Sequence, residues 1–285
     1  MTVPSDERNP HTEPAEPGDV SGKVQDSMKV EEIASAATPE LSGEPSEPLR
    51  IRYRIRFSKT GLLRWISHRD LARLWERMLR RAAFALSMTQ GFHPKPRIGF
   101  PSALALGVDG LEEVVEIEFS EDLPPREVLQ RLEKDQQPGL QIISVSKVPK
   151  AFKKPQLQKS QYRFTLPEKA EAGQIQAAIA ALLATPTVSV TRKKKSLTFE
   201  TQTQILSLSS TDQFIELTLA ASEAATLRPQ DVLNLMGFTD WVEQGSHITR
   251  TRVVLHQDIE GNDPSNTAVA DGAPTNEYTN SEEQR

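Results

Sequence analysis

Residues 51–57 read Ile-Arg-Tyr-Arg-Ile-Arg-Phe, with an apolar side chain at every odd position and an arginine at every even one. A period of two admits a half-buried β-strand, with Ile51, Tyr53, Ile55 and Phe57 against a core and Arg52, Arg54 and Arg56 on the opposite face. Three guanidiniums on one strand face repel one another unless an anion or a cross-strand carboxylate stands opposite. Glu113 to Phe119 alternates Val115, Ile117 and Phe119 with acids, so Glu116 and Glu118 supply part of that neutralisation if the two segments pair in register.

The surrounding pattern orders the elements as βαββαβ. Lys59-Thr60-Gly61 turns into a helix from Ser67 to about Phe84, and a loop rich in turn formers, Met-Thr-Gln-Gly-Phe-His-Pro-Lys-Pro, follows. Arg97 to Leu106 and Glu113 to Phe119 are expected as strands. Pro124-Pro125 opens a helix that runs through Leu132, Pro138-Gly139 stops it, and Leu140 to Val148 is the fourth strand. A basic, proline-containing linker spans 150–159, and a similar order then returns. Gln161 to Leu166 is a strand, Glu168 to Ala184 a helix, and Thr187 to Arg192 a strand. A hairpin from Gln204 to Ala220, a short helix at Arg228 to Gly237 and a closing strand from His247 to Leu255 complete it. The expected class is α+β: two ferredoxin-like halves, residues 50–149 and 160–256, each an antiparallel sheet with its helices on one face. Residues 1–49 and 257–285 are polar, acidic and poor in aromatic side chains, and are expected to be disordered tails.

Those ends hide the charge of the middle. The whole chain carries a formal −5, but residues 1–49 hold 3 basic and 11 acidic side chains and residues 257–285 hold 1 and 7. Residues 50–256 are therefore basic by +9, and Arg50 to Phe100 alone holds 13 Lys or Arg against only Asp70 and Glu76. Such a density attracts polyanions, of which nucleic acid is the commonest in a cell. The absence of cysteine excludes a disulfide framework, a thiolate metal site, a cysteine nucleophile and a Cys-ligated iron–sulfur cluster. No cofactor is expected. No apolar run approaches the roughly twenty residues of a membrane span, and the acidic start lacks the layout of a signal peptide, so a cytoplasmic protein without a membrane partner is expected.

At 3.6 residues per turn, Leu71, Leu74, Trp75, Met78, Leu79 and Ala82 form the core stripe of the first helix, and Arg69, Arg73, Arg77, Arg80 and Arg81 gather on the other side. Like charges at this spacing repel by roughly 0.2–0.5 kcal/mol per pair in an isolated helix. Guanidinium suits phosphate because it donates in a planar fork and stacks on bases. Ser67 and Asp70 have the spacing of a capping box, and His68 falls at the first helical position. In the loop, Pro94 and Pro96 stiffen a backbone that presents His93, Lys95 and Arg97 beside Phe92, a combination suited to single-stranded or looped RNA, or else to an ordinary strand entry with Phe92 and Phe100 in the core. Arg192 and Lys193 begin a basic run at a strand end in the second half, which Arg250 and Arg252 extend.

Arg-Phe-Ser-Lys-Thr-Gly at 56–61, Ser-His-Arg-Asp at 67–70 and Gly-Phe-His-Pro-Lys-Pro at 91–96 resemble the radical-SAM-linked protein family, a domain of unknown function also known as DUF2344. The resemblance is strong from about Arg52 to Val148 and looser to about Leu255. In many relatives this domain follows a radical-SAM domain in the same polypeptide, so the resemblance implies a stand-alone module that works beside a separately encoded radical-SAM protein. The residues themselves point to an RNA-binding module, for tRNA or rRNA, with Arg52, Arg54, Arg56, Lys59, Arg69, Arg73, Arg77, Arg81, His93, Lys95, Arg97, Arg192 and Lys193 as contacts. Two other readings use the same surface. One is a metal-independent endoribonuclease with His68 and His93 as general base and acid, and the other is a scaffold that docks an acidic protein. A metal site built from His68, Asp70 and His93 is less favoured, because Asp70 is better explained as a cap.

Overall fold

The arginine-alternating segment is the inner part of strand β1 (Ile51–Lys59), whose apolar side chains are all buried. The computed structural model describes residues 49–135, 137–222, 225–259 and 266–272, all of them within one unit, Glu47–Arg285. The expected N-terminal tail, apart from Leu49, lies outside the described residues. Helix α1 (His68–Arg81) begins where Ser67 accepts the backbone N–H of Asp70 at 3.2 Å and donates its hydroxyl to the Asp70 carboxylate at 2.7 Å. Its stripe of Leu71, Leu74, Trp75, Met78 and Leu79 packs on the sheet, with Trp75 edge-on to Phe57 at 5.0 Å between ring centroids.

Strands β2 (Ile98–Gly99) and β3 (Asp109–Phe119), helix α2 (Pro125–Glu133) and strand β4 (Leu140–Lys147) complete the first half. The order across the sheet is β4-β1-β3-β2, every pair antiparallel, and both helices share one core with Tyr53, Ile55 and Phe57. The strand expected from Arg97 to Leu106 forms only at Ile98 and Gly99. Pro101 has no N–H to give a ladder, and farther along, the same edge of β3 is taken by another strand.

The second half comprises β5 (Leu157–Thr165), α3 (Ala172–Ala184), β6 (Thr187–Arg192), β7 (Lys195–Glu200), the single turn α4 (Thr201–Gln204), β8 (Ile205–Ser210), β9 (Phe214–Ala220), α5 (Pro229–Leu235) and β10 (Ile248–Leu255). Its sheet order, β10-β5-β9-β8, repeats the permutation of the first half. Helix α3 and helix α5 bury Ile175, Ile179, Leu182, Val232 and Leu233 against Phe164, Ile215 and Leu217. Strand β6 does not join this sheet. It pairs with β7 as a separate hairpin whose Val188 and Phe199 lean on the same core. The basic run therefore occupies a two-residue turn, with Lys193 and Lys194 at positive φ (47° and 66°). Such a turn favours Asn-Gly, and each L-residue held there costs roughly 1–2 kcal/mol. Exchanging Lys193-Lys194 for Asn-Gly is expected to stabilise the protein by about 1–2 kcal/mol; an unchanged urea midpoint would contradict this account of the turn.

Thr249 and Arg250 of β10 pair in parallel with Asp109 and Gly110 of β3, so the two halves form one mostly antiparallel sheet of nine strands. The ninth is β11 (Thr267–Val269), which pairs with β4 inside the segment expected to be a tail. Thr267-Ala268-Val269-Ala270 is short and weakly apolar, yet the open edge of β4 offers it a ladder, and Ala270 enters the first core. The chain therefore returns to the fold beyond Gln257; residues 260–265 and 273–285 lie outside the described set.

Tyr53 ties the segment between β3 and α2 to β1. Its buried hydroxyl donates to the Leu123 carbonyl at 2.7 Å and accepts the Leu123 N–H at 2.9 Å. Burial, reinforced by the Asp122 carboxylate and opposed by the Leu123 hydrogen bond, raises its pKa from 10.0 to about 12. The unfolded chain releases this proton near pH 10 while the folded chain retains it, so the contribution of Tyr53 is full below pH 10 and declines toward pH 12. Tyr53→Phe is expected to lack that decline, as read from denaturant midpoints across the alkaline range.

Candidate nucleic-acid interface

The arginines of β1 face away from the helices, as their period dictates, but they are not presented to solvent. Arg54 is buried, with Nε and Nη2 on Glu116 Oε1 at 3.0 and 2.8 Å, and Nη1 on the Gln257 carbonyl at 2.7 Å and on Asp258 at 3.3 Å. Arg56 binds Asp258 at 2.6 Å, Glu112 at 3.5 Å and the Val253 carbonyl at 3.2 Å. Arg52 donates to the carbonyls of Phe152 and Lys153, in the segment expected as a linker, and approaches Glu116 at 3.5 Å. Lys59 is buried too, its Nζ held by the carbonyls of Arg64 and Ile66 at 3.5 and 3.4 Å. Burial lowers its pKa, the carboxylates of Glu113 and Asp109 opposing the shift and Arg250 adding to it. These four residues do not form a nucleic-acid surface. The carboxylates that neutralise them arrive from β3 and from the segment after β10.

Two more of the expected contacts are tied inward. Arg97 donates to the Met88 carbonyl at 3.2 Å and lies 3.7 Å from Glu118, closing its own loop. Arg192 binds Asp231 and the Thr226 carbonyl, anchoring the β6–β7 hairpin to α5. Arg250 and Arg252 likewise pair with Glu113 and Glu112.

The outer face of α1 differs. Arg69, Arg73, Arg77, Arg80 and Arg81 are all exposed. Arg73 meets Asp70 at 3.5 Å and Arg81 meets Asp135 at 2.6 Å. Among the described residues Arg69, Arg77 and Arg80 make no ion pair. The proline loop is closed at its base by Thr89 and Lys95, whose backbones bond at 2.8 Å. Its tip carries Phe92, fully exposed and not in the core, together with exposed His93 and Lys95. His68 packs edge-on against Phe100 at 5.1 Å. Neither histidine has a hydrogen-bond partner among the described residues. Lys193 is exposed at its turn.

One feature gave no signal in the sequence. A cavity of about 720 Å³ opens where the two halves meet, between the loop 102–108, the 3-10 turn Gly61–Trp65 and strands β5 and β10. Its lining residues are distributed over several widely separated stretches of chain, so no local motif marks them. Among the described residues no helix is long and apolar enough to cross a membrane.

A family model described as an uncharacterized protein conserved in bacteria (DUF2344) matches residues 52–229. No curated protein matches the sequence. Among solved structures, a chain of the crystal structure of a Cbf5-Nop10-Gar1 complex is similar at 11% identity and a TM-score of 0.35, with 70% of this chain and 48% of that chain covered. The present chain thus spans about half the length of that neighbour.

Proposed function

The chain belongs to the DUF2344 family, and from that premise we propose that it is an RNA-binding module that grips tRNA or rRNA along the outer face of α1 and the tip of the proline loop. The observation that carries this reading is the contrast between two sets of arginines. Those of β1 are matched by buried or partly buried carboxylates, whereas Arg69, Arg77 and Arg80 stand exposed and unpaired among the described residues on one helix. Retaining like charges at this spacing weakens the helix slightly, a cost that a bound polyphosphate offsets. Phe92, exposed beside His93 and Lys95, suits stacking on an unpaired base next to a phosphate. The module works in the cytoplasm beside a separately encoded radical-SAM protein, to which it presents or positions the RNA.

Changing Arg69, Arg73 and Arg77 together to Gln is expected to weaken binding of a tRNA-sized RNA at low salt. The slope of log affinity against log salt should become shallower by about 2 to 3, since each lost phosphate contact removes about 0.7–0.9 from it. Stability should hold or rise, because repulsion within α1 is relieved. Filter binding across a salt series reads the slope. An unchanged slope and affinity in the triple variant would reject this face as the RNA site.

A further inference from the structure

The cavity at the junction of the halves has the dimensions of a small-molecule site and a charge that selects its occupant. Its lining includes Arg64, Arg228 and Arg250 and, among the described residues, no acid. The acids that balance two of these cations, Asp109 and Glu113, stand outside the lining. Arg250 is 2% exposed and fully engaged, with its guanidinium on Glu113, on the Ser102 hydroxyl at 2.9 Å and on the Ala103 carbonyl at 3.3 Å. It holds the loop 102–108 in place as one wall. Arg228 is exposed and makes no ion pair among the described residues, so its charge is available at the mouth.

A further observation points to a ligand. Trp65, although 59% exposed, is held against the same loop: a Cβ on Gly107 would stand 3.0 Å from its ring, and Arg64 lies 5.2 Å from the ring centroid. A large aromatic surface kept in place at the rim of a cationic, partly apolar cavity fits a planar ligand that carries an anion.

We infer that the cavity accepts one nucleotide, with its base packed beside Trp65 and the apolar wall and a phosphate on Arg228. This rests on the RNA reading for the source of the nucleotide. Trp65 of the lining precedes Arg69 of α1 by four residues, which makes an RNA strand held along α1 the proposed source of the nucleotide.

The test uses the full chain and free nucleoside 5′-monophosphates, with calorimetry and tryptophan fluorescence as readouts. Saturable one-site binding is expected. Arg228→Gln should weaken it about tenfold or more. Ala105→Trp, a plug placed at an exposed position of the lining loop, should abolish it with the melting temperature unchanged. Absence of binding at millimolar nucleotide, or binding indifferent to both variants, overturns the inference. The two readings fail separately. RNA held through the α1 arginines with no monophosphate bound sinks the cavity site alone. Monophosphate bound and lost with the plug, while RNA affinity ignores the α1 arginines, sinks the RNA reading and upholds the site.

Discussion

Arg250→Ala is expected to destabilise the protein by about 3–5 kcal/mol, the usual consequence of leaving one member of a buried ion pair alone. The guanidinium is almost wholly buried, binds Glu113 through two nitrogens and also donates to Ser102 and the Ala103 carbonyl. Its removal leaves the Glu113 carboxylate buried beside Lys59 with no bidentate partner, and it releases the loop from the strand that joins the halves. Against a total of about 5–15 kcal/mol for a typical domain, such a loss brings unfolding within reach of mild heating. The double change Arg250→Met with Glu113→Leu should recover much of the loss, because two apolar side chains leave no stranded charge. Urea melts of the single and double variants measure the difference. A single variant as stable as the parent would show that water reaches Glu113 and that the junction is open.

Ending the chain at His256 is expected to be comparably costly, about 3–5 kcal/mol, although composition alone marks everything beyond it as a disordered tail. The truncation removes the Asp258 carboxylate and the Gln257 carbonyl from Arg54, and Asp258 from Arg56. Glu116 then faces Arg54 and Arg52, and Arg56 keeps Glu112 and the Val253 carbonyl. It also strips β11 from the edge of β4 and Ala270 from the first core. Restoring charge balance by Arg56→Met in the truncated chain should return part of the stability. If the truncated chain melts with the parent, the ion pairs on the back of β1 contribute nothing net.

Much of the fold was legible because its signals are local. The alternation in β1, the Ser67–Asp70 cap and the 3.6-residue stripe of α1 each rest on neighbours a few residues apart, and each appears as expected. The order of strands and helices in both halves followed from the same periodicities, with the 3-10 turn Gly61–Trp65, β7, the single turn α4 and β11 among the elements the pattern did not reveal. Lys195 to Glu200 was obscured by the basic run before it. β11 was obscured because three residues of modest hydrophobicity form a strand only where an edge already waits for them.

The sequence by itself determined which face of each element a side chain occupies: arginines behind β1, arginines outside α1, leucines and Trp75 between. Only the tertiary structure decided which of those arginines are free. The partners that neutralise Arg54 and Arg250 lie 62, 204 and 137 residues away along the chain, and nothing in a local pattern specifies such a distance. Periodicity is a property of the backbone's own geometry, whereas the fate of a charge depends on which distant carboxylate the register brings within about 3 Å of it.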